Sequence, residues 1–558
     1  MSLRQHQSDF ALAIQDKIAG ADFNTILLRA TPGAGKSAIP IQAAELIRAG
    51  LADRICWIVP RDALRTQGER NFMDPFFRDM LQHRFTVRAA TNEPDPCRGT
   101  HGFVTTYQAV GQDRAGIVYE QFRRHRYILI LDEFHHCELN GLWASKIQSL
   151  VDSAAFVVLM TGTLERGDNK PIAFLPYKEV RKGSFLEYQP DLEAPGLRYI
   201  EYSRADALQE QAIIPMQFYF HDGSAEWEEN DNRIKVDSIA QANPDKVASA
   251  LYTALRTDYA HDLLAGAVEH WRQWKRKIRT AKMLVVCADY DTAKEAARHV
   301  RKLTNRTSDI ATSHESAAAS RAIDRFKAGQ VDILVTIAMA YEGLSVEEIT
   351  HIACLTHIRS TPWLEQMVAR AIRIDRAYQY RGQVAHIFAP DDPLFKKLVE
   401  RIESEQIAAI ENYDPGGKKQ EQAEQLSLFC DELDSVAEPR IRPIGSKITG
   451  QREWLYGDPV ESHEPRPSES HPPLSPTQTE SSLKREIESI VRRYCRMNRM
   501  LPQQVNSEIK EHFGKSRMEM SASELGHVLD FVKRNYPTSY QQRGRRMPVD
   551  KGVMVFNG

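Results

Sequence analysis

Eight residues, Ala30-Thr31-Pro32-Gly33-Ala34-Gly35-Lys36-Ser37, follow an apolar run and precede a helical pattern. Glycines at 33 and 35 let backbone amides come close to phosphate oxygens. The start of the following helix adds partial positive charge. In a loop of this kind Thr31, Gly33, Ala34 and Gly35 form the cradle. Lys36 reaches the β- and γ-phosphates of ATP, and the Ser37 hydroxyl ligates Mg²⁺. Further on, Asp132-Glu133-Phe134-His135 closes the apolar run YILIL. Carboxylates at the C-terminal end of a strand lie at the mouth of a sheet, where ligands bind. Asp132 is placed to hold Mg²⁺ through water, and Glu133 to polarise an attacking water. His136 and Cys137 follow, but without partners at metal-ligand spacing. Gln366, Arg370 and Arg373 recur at i, i+4 and i+7, which predicts one face of a helix.

The elements around these residues follow from hydrophobic pattern. TILLRA (25–30), RICWIVP (54–60), GFVTT (102–106), YILILDE (127–133) and FVVLMTGT (156–163) are near-continuous apolar runs. Such runs suit strands covered on both faces, as in a parallel sheet. Helical patterns between them, as in 37–50, predict a doubly wound α/β domain over 1–180. Residues 181–275 change character and read as a connector, strand-rich at first and helical over 258–278. KMLVVCAD (282–289), DILVTIAM (332–339), ITHIACLT (349–356) and QVAHIFAP (383–390) then restore the α/β rhythm over 276–411. Residues 412–482 are rich in Pro, Ser, Glu and Gln. A stretch that buries little apolar surface is expected to be a linker. Residues 483–558 predict a small helical module, with Lys484, Arg485, Arg492, Arg493, Arg496 and Arg499 on a helical pattern and Arg543, Arg545 and Arg546 near the end. Such a basic face suits solvent, DNA or a docked protein, and the sequence leaves all three open.

Length and composition agree with several domains. The chain has 558 residues, 42% hydrophobic and 27% charged, with 73 Lys+Arg against 75 Asp+Glu, so any basic site must be local. No run of about 18 apolar residues predicts a membrane span. The N-terminus lacks a secretory pattern, so the expected location is cytoplasmic. The seven cysteines form no CxxC pair, which excludes a disulfide framework and predicts buried apolar thiols.

With these motifs in place, residues 1–400 resemble the superfamily 2 helicases of the DExH-box group, and more finely the bacterial DNA helicases of restriction and phage-defence systems. The resemblance implies two tandem RecA-like parallel-sheet domains with ATP and Mg²⁺ between them. It implies that Gln7, within Leu3-Arg4-Gln5-His6-Gln7, pairs with the adenine edge. It implies strand-tracking contacts for Val59-Pro60-Arg61-Asp62-Ala63-Leu64 and Thr105-Thr106-Tyr107, so Pro60, Arg61, Thr105 and Thr106 become nucleic-acid-binding candidates. Thr161-Gly162-Thr163 resembles the motif that couples hydrolysis to domain movement. The segment from Thr336 to Ser345 resembles the motif that touches nucleic acid through Thr336 and nucleotide through Gly343, with Ser345 where the family usually has Asp. Gln366 to Arg373 resembles QxxGRxxR, with Ala369 in place of Gly. There Gln366 couples the domains, Arg370 binds nucleotide and Arg373 is the arginine finger.

The resulting expectation is an ATP-hydrolysing helicase or translocase on DNA, with Lys36, Glu133 and Arg373 as catalytic residues. No nuclease motif is found, so any cutting would come from a nuclease or other defence-system partner. Two rivals stay open. One is an ATP-gated DNA clamp that recruits such a partner, and the other is an RNA helicase with the same motifs.

Overall fold

The computed structural model describes residues 3–136, 142–164, 171–182, 185–305, 308–311, 316–337, 344, 346–359, 361–375, 382–397, 399–400, 441–456 and 474–537. Cys137, Gly343, Ser345, Cys430, Arg543, Arg545 and Arg546 lie outside the described residues.

The apolar runs form a seven-stranded, all-parallel sheet. Its strands are β1 (Phe23–Ala30), β2 (Arg54–Val59), β3 (Arg88–Ala89), β4 (Gly102–Thr106), β5 (Tyr127–Asp132) and β6 (Phe156–Thr161). After the hairpin β7 (Tyr177–Lys182) and β8 (Phe185–Pro190), β9 (Gly196–Tyr202) joins it as well. The order is β3-β4-β2-β5-β6-β1-β9. Every residue of β6, and all but the last of β5, is buried, as strands covered on both faces should be. Helix Gln5–Ile18 covers β1 and β9 with Phe10, Ala13 and Ile14.

The second sheet is built from β10 (Met216–Glu229), β11 (Asn232–Val236), β12 (Lys282–Cys287), β13 (Asp309–Ala311), β14 (Ile333–Ile337), β15 (Ile349–Leu355) and β16 (Ala385–Pro390). Their order is β11-β10-β16-β15-β12-β14-β13, parallel from β10 through β13. Helices Pro244–Ala254 and Asp258–Lys277 cover one face, where Tyr259, Leu263, Ala267 and Trp271 meet Val285 and Phe388. The molecule thus has two RecA-like α/β domains.

Three boundaries differ from the sequence reading. Residues 181–275 are not a separate connector. β9 extends the first sheet, while β10 and the two following helices belong to the second. A strand and its sheet cannot be told apart from an insert by local pattern, because pairing is non-local. The expected linker 412–482 contains β17 (Arg442–Tyr456), which runs antiparallel along β10 from Met216↔Tyr456 to Glu228↔Arg442. Arg452 fixes it with paired bonds to Asp391 at 2.6 and 2.8 Å. The helical module begins at Pro476 rather than 483. Ser475 caps it reciprocally with Gln478, and proline occupies the first helical turn.

That module is helices Pro476–Asn498, Pro502–Phe513 and Ala522–Asn535 around Ile487, Val491, Ile509, Leu525 and Val528. It docks on the first domain. Glu69 accepts from the Ser475 hydroxyl (3.0 Å), the Thr477 amide (2.8 Å) and the Thr477 hydroxyl (2.6 Å), capping the incoming helix. Glu480 lies between Arg88 and Arg98, which also share Glu93. Arg485, Arg492, Arg493, Arg496 and Arg499 stay exposed, while Lys484 turns to Glu480 at the docking contact, so docking uses carboxylates and only that one member of the basic face.

The five described cysteines are buried free thiols, as expected. Among the described residues no helix is long and apolar enough to cross a membrane.

Candidate active site

The phosphate loop leaves β1 in a turn that needs left-handed backbone at Gly33 (φ 85°) and Gly35 (φ 87°). A side chain there would be strained. It would also be crowded, since a Cβ on Gly35 would lie 2.8 Å from Arg4 Nη1. The loop is held from outside. Arg4 donates through Nη1 to the Ala34 carbonyl, and Gln7 Nε2 donates to the Gly35 carbonyl at 3.0 Å. Gln7 Oε1 accepts from the Arg4 amide at 3.1 Å. Both ends of the Gln7 amide are therefore engaged with protein in this structure, and Gln7 ties the phosphate loop to the first helix. Arg4 is a site residue that the sequence reading did not single out, although it lies in the same short element.

Lys36 Nζ stands 2.5 Å from Glu133 Oε1, and the Gly162 amide donates to Glu133 Oε2 at 3.0 Å. Glu133 has φ 49°, a left-handed conformation that costs a non-glycine residue about 1–2 kcal/mol. The two partners hold it there. Burial works against ionisation of Glu133, but Lys36 and then His135 outweigh it and pull the carboxyl down to about 2. The neighbouring Asp132 goes the other way, because burial and the Glu133 charge push it up to about 7. Two adjacent carboxyls are thus set to different tasks by their surroundings.

The TGT segment is wired to this pair. His135 Nδ1 lies 2.8 Å from Thr161 Oγ1, and Thr161 Oγ1 also meets the Thr163 carbonyl (2.6 Å) and amide (3.1 Å). Gly162 packs on the phosphate loop, since a Cβ there would lie 3.0 Å from Pro32 Cγ.

The second domain closes the site. A Cβ on Gly33 would meet Ile213 at 3.6 Å, Ile372 at 3.7 Å and the Ala369 carbonyl at 3.9 Å. The Ile214 amide donates to the Ile372 carbonyl at 2.9 Å. The cleft has a volume of about 450 Å³. Lys36, Ser37, Asp132 and Glu133 line one wall, and Gln366, Arg370 and Arg373 the other. The expected single helix over these last three residues is shorter: it spans Thr361–Val368 and ends before the arginines. All three still reach the cleft, because the turn after Val368 carries Arg370 and Arg373 back towards it. Arg370 Nη1 donates to the Leu344 carbonyl at 3.3 Å. Burial and the neighbouring Arg370 lower Arg373 to about 10, so it stays cationic near neutral pH. Segment 62–80 supplies a further wall through Gln67, Asn71, Phe76 and Phe77, which no motif signalled.

The expected nucleic-acid contacts fare differently. Pro60 lines the ATP-side cleft and Arg61 is partly exposed. Thr105 and Thr336 are fully buried in their strands, and Thr106 caps the next helix by accepting from the Ala109 amide at 3.1 Å. Neither the Thr105 nor the Thr336 hydroxyl faces an open surface in this conformation, whereas Thr106 is partly exposed. Alternation along a strand assigns faces, but burial from both sides removes the exposed one.

Comparison with known proteins agrees with this arrangement. Residues 1–166 match the family model for the Type III restriction enzyme res subunit, and residues 266–375 the helicase conserved C-terminal domain. The chain carries a superfamily 2 helicase core resembling that of restriction-type enzymes. Among curated relatives, "Uncharacterized protein Rv2917" of Mycobacterium tuberculosis is 24% identical over 394 residues, covering 69% of this chain and 61% of the relative. "Uncharacterized protein ML1624" of Mycobacterium leprae is 23% identical, covering 67% and 60%. The match therefore spans less than two thirds of these relatives. Among solved structures, the Mycobacterium smegmatis helicase Lhr bound to ssDNA and AMP-PNP covers 72% of this chain and 48% of its own, at 13% identity and TM-score 0.45. The DUF1998 helicase MrfA bound to DNA covers 72% and 48%, at 11% identity and TM-score 0.44.

Proposed function

We propose that this helicase core is an ATP-driven motor on nucleic acid, with DNA as its track. The observation that carries the reading is the closed cleft, which brings the phosphate loop and the DEFH carboxylates of one domain against Arg370 and Arg373 of the other. The likeness of residues 1–166 to a restriction enzyme subunit supports DNA as substrate and a separate nuclease or other defence-system subunit as partner.

The residues fit ATP and Mg²⁺. The backbone cradle at Gly33 and Gly35 admits phosphate oxygens. Ser37 and Asp132 offer the hard oxygen donors that Mg²⁺ requires. When bound, Mg²⁺ supplies charge neutralisation on the phosphates. The remaining tasks belong to the chain. In this structure Lys36 is paired to Glu133 and suppresses its basicity. A polyphosphate competes for the Lys36 ammonium and so frees Glu133 Oε1, while the Gly162 amide keeps Oε2 oriented. Glu133 then takes a proton from the attacking water. Arg373 stabilises the charge on the transferring phosphoryl group. Because Glu133 and Thr161 share His135, a change at the carboxylate is felt in the TGT segment, and the two domains part once the phosphate is lost.

The test is ATP turnover measured side by side with single-stranded DNA, duplex DNA and RNA. DNA should stimulate it strongly and in a salt-sensitive way. Stronger stimulation by RNA would move the assignment to an RNA helicase, and one turnover per binding event to a clamp. No response to any nucleic acid would overturn the motor.

A further inference from the structure

The second domain contains a cluster that the motor does not use. His351 on β15 and His386 on β16 are direct partners in the parallel register, and His270 on helix Asp258–Lys277 reaches down onto them. One ring nitrogen from each can be chosen so that all three lie within 4.8 Å of one another. We propose that His270, His351 and His386 form a binding site for a divalent transition-metal ion of the zinc class.

The hydrogen bonds set aside one nitrogen of each ring. His270 Nε2 and His386 Nδ1 each lie 3.1 Å from the Tyr219 hydroxyl, and His351 Nδ1 lies 2.8 Å from the Thr350 hydroxyl. Every ring thus has one nitrogen on a hydroxyl. The remaining set is His270 Nδ1, His351 Nε2 and His386 Nε2. The first two are 2.8 Å apart. His386 Nε2 is buried and has no hydrogen-bond partner among the described residues.

Proton counting shows what an ion would change in the cluster. Three neutral imidazoles carry three N–H groups and three lone pairs. Without metal, the chain Thr350–His351–His270–Tyr219–His386 can be satisfied in either direction, but each direction leaves His386 Nε2 unsatisfied. A buried polar atom of that kind costs roughly 1–3 kcal/mol. With an ion, three lone pairs go to the metal. The three N–H groups then donate to Tyr219 and Thr350, so no ring nitrogen is left over, and the Tyr219 hydroxyl hydrogen turns away from the rings. This is the outer-shell pattern that orients ligating histidines. A tetrahedral ion about 2.0–2.1 Å from each nitrogen would hold neighbouring nitrogens about 3.4 Å apart. The present 2.8 Å contact would open by about half an ångström. Ring centroids 4.6, 4.7 and 5.1 Å apart are compatible with that geometry. Imidazoles suit zinc and the neighbouring divalent ions. The ion would pin helix Asp258–Lys277 to β15 and β16. Trp274, against His386 at 4.5 Å, also lines a small cavity with Thr350 and Arg373, so the pin lies close to the arginine of the ATP cleft.

The test uses the full chain, stripped with chelator and dialysed against Zn²⁺ or Co²⁺. The wild type should retain about one ion per chain and show the visible absorption of four-coordinate cobalt. Its Tm should rise by at least about 5 °C at a hundredfold excess of zinc over Kd. His270→Gln, at a half-exposed position, should fold, lose the cobalt band and bind zinc at least 100-fold more weakly. Tyr219→Phe should weaken zinc about 10- to 100-fold. A wild type with no retained ion, no cobalt band and no zinc-dependent Tm would overturn the site. Equal binding by wild type and His270→Gln would overturn it too, because the ion would then lie elsewhere.

Discussion

Replacing Glu480 by alanine removes one of two carboxylates that compensate two buried guanidinium groups. Arg88 donates to Glu480 at 3.0 and 3.3 Å and Arg98 at 3.2 Å, while Glu93 takes the other bonds at 2.9 and 2.5 Å. Arg88 and Arg98 are 5% and 9% exposed, so water cannot replace the lost acceptor while the module is docked. Glu480 itself holds Arg88 above its ordinary range despite the burial that pulls the other way. Breaking a buried pair on one side costs about 3–5 kcal/mol. The molecule can escape that cost by releasing the helix Pro476–Asn498, which re-exposes both arginines. The expected result is therefore undocking of residues 474–537, faster proteolysis within them, and a loss of roughly 6–20 °C in the transition that reports the first domain. Glu486→Ala is the control, because its pair with Lys533 is half-exposed on both sides and is worth well under 1 kcal/mol. If Glu480→Ala melts within about 1 °C of wild type and of this control, with the tail still protected, the docking argument is wrong.

Further outcomes follow from the cleft and from buried imidazoles. Lys36→Ala should abolish ATP turnover while leaving the fold intact, checked by ATPase assay and circular dichroism. It should also raise the Glu133 carboxyl from its depressed position, because its main stabilising charge is gone. Glu133→Gln should keep nucleotide binding and the Gly162 bond but lower turnover by orders of magnitude; a parallel loss of ATP affinity would make Glu133 a metal-site residue instead. Arg373→Ala should cut turnover about 10³-fold or more with Tm unchanged, and near-normal turnover would remove it from the reaction. For pH, His6 and His83 are buried and lowered to about 3 and about 4, in both cases mainly by burial. The unfolded chain takes up those protons near 6.5 and the folded chain does not, so stability falls as pH drops below 6.5. From pH 7 to 5 the loss should be about 2 kcal/mol per fully buried imidazole. Tm measured at both pH values should show a smaller drop in His83→Gln than in wild type, and equal drops would contradict it.

The sequence by itself determined the parts whose physics is local. A loop of Gly33 and Gly35 between strand and helix can do little but cradle an anion, and a carboxylate pair at the end of YILIL must sit at the sheet's mouth. Apolar runs long enough to be buried on both faces required parallel sheets, and their rhythm placed two α/β domains. Tertiary structure decided everything that depends on partners distant in sequence. It tied Gln7 to the phosphate loop, because Gly35 lies within its reach. It buried Thr105 and Thr336, because layers cover both faces of their strands. It brought Arg370 and Arg373 into the cleft from a turn instead of a helix face. It made a strand of Arg442–Tyr456, because the edge of β10 offered unpaired backbone groups to a segment with few apolar residues of its own. It set Glu69 and Glu480 as docking points for a module that composition suggested was tethered, and gathered three histidines between positions 270 and 386. In each case the energy comes from burial and pairing between residues distant in sequence, from 28 apart for Gln7 and Gly35 to 406 for Glu69 and Ser475, which no local pattern encodes.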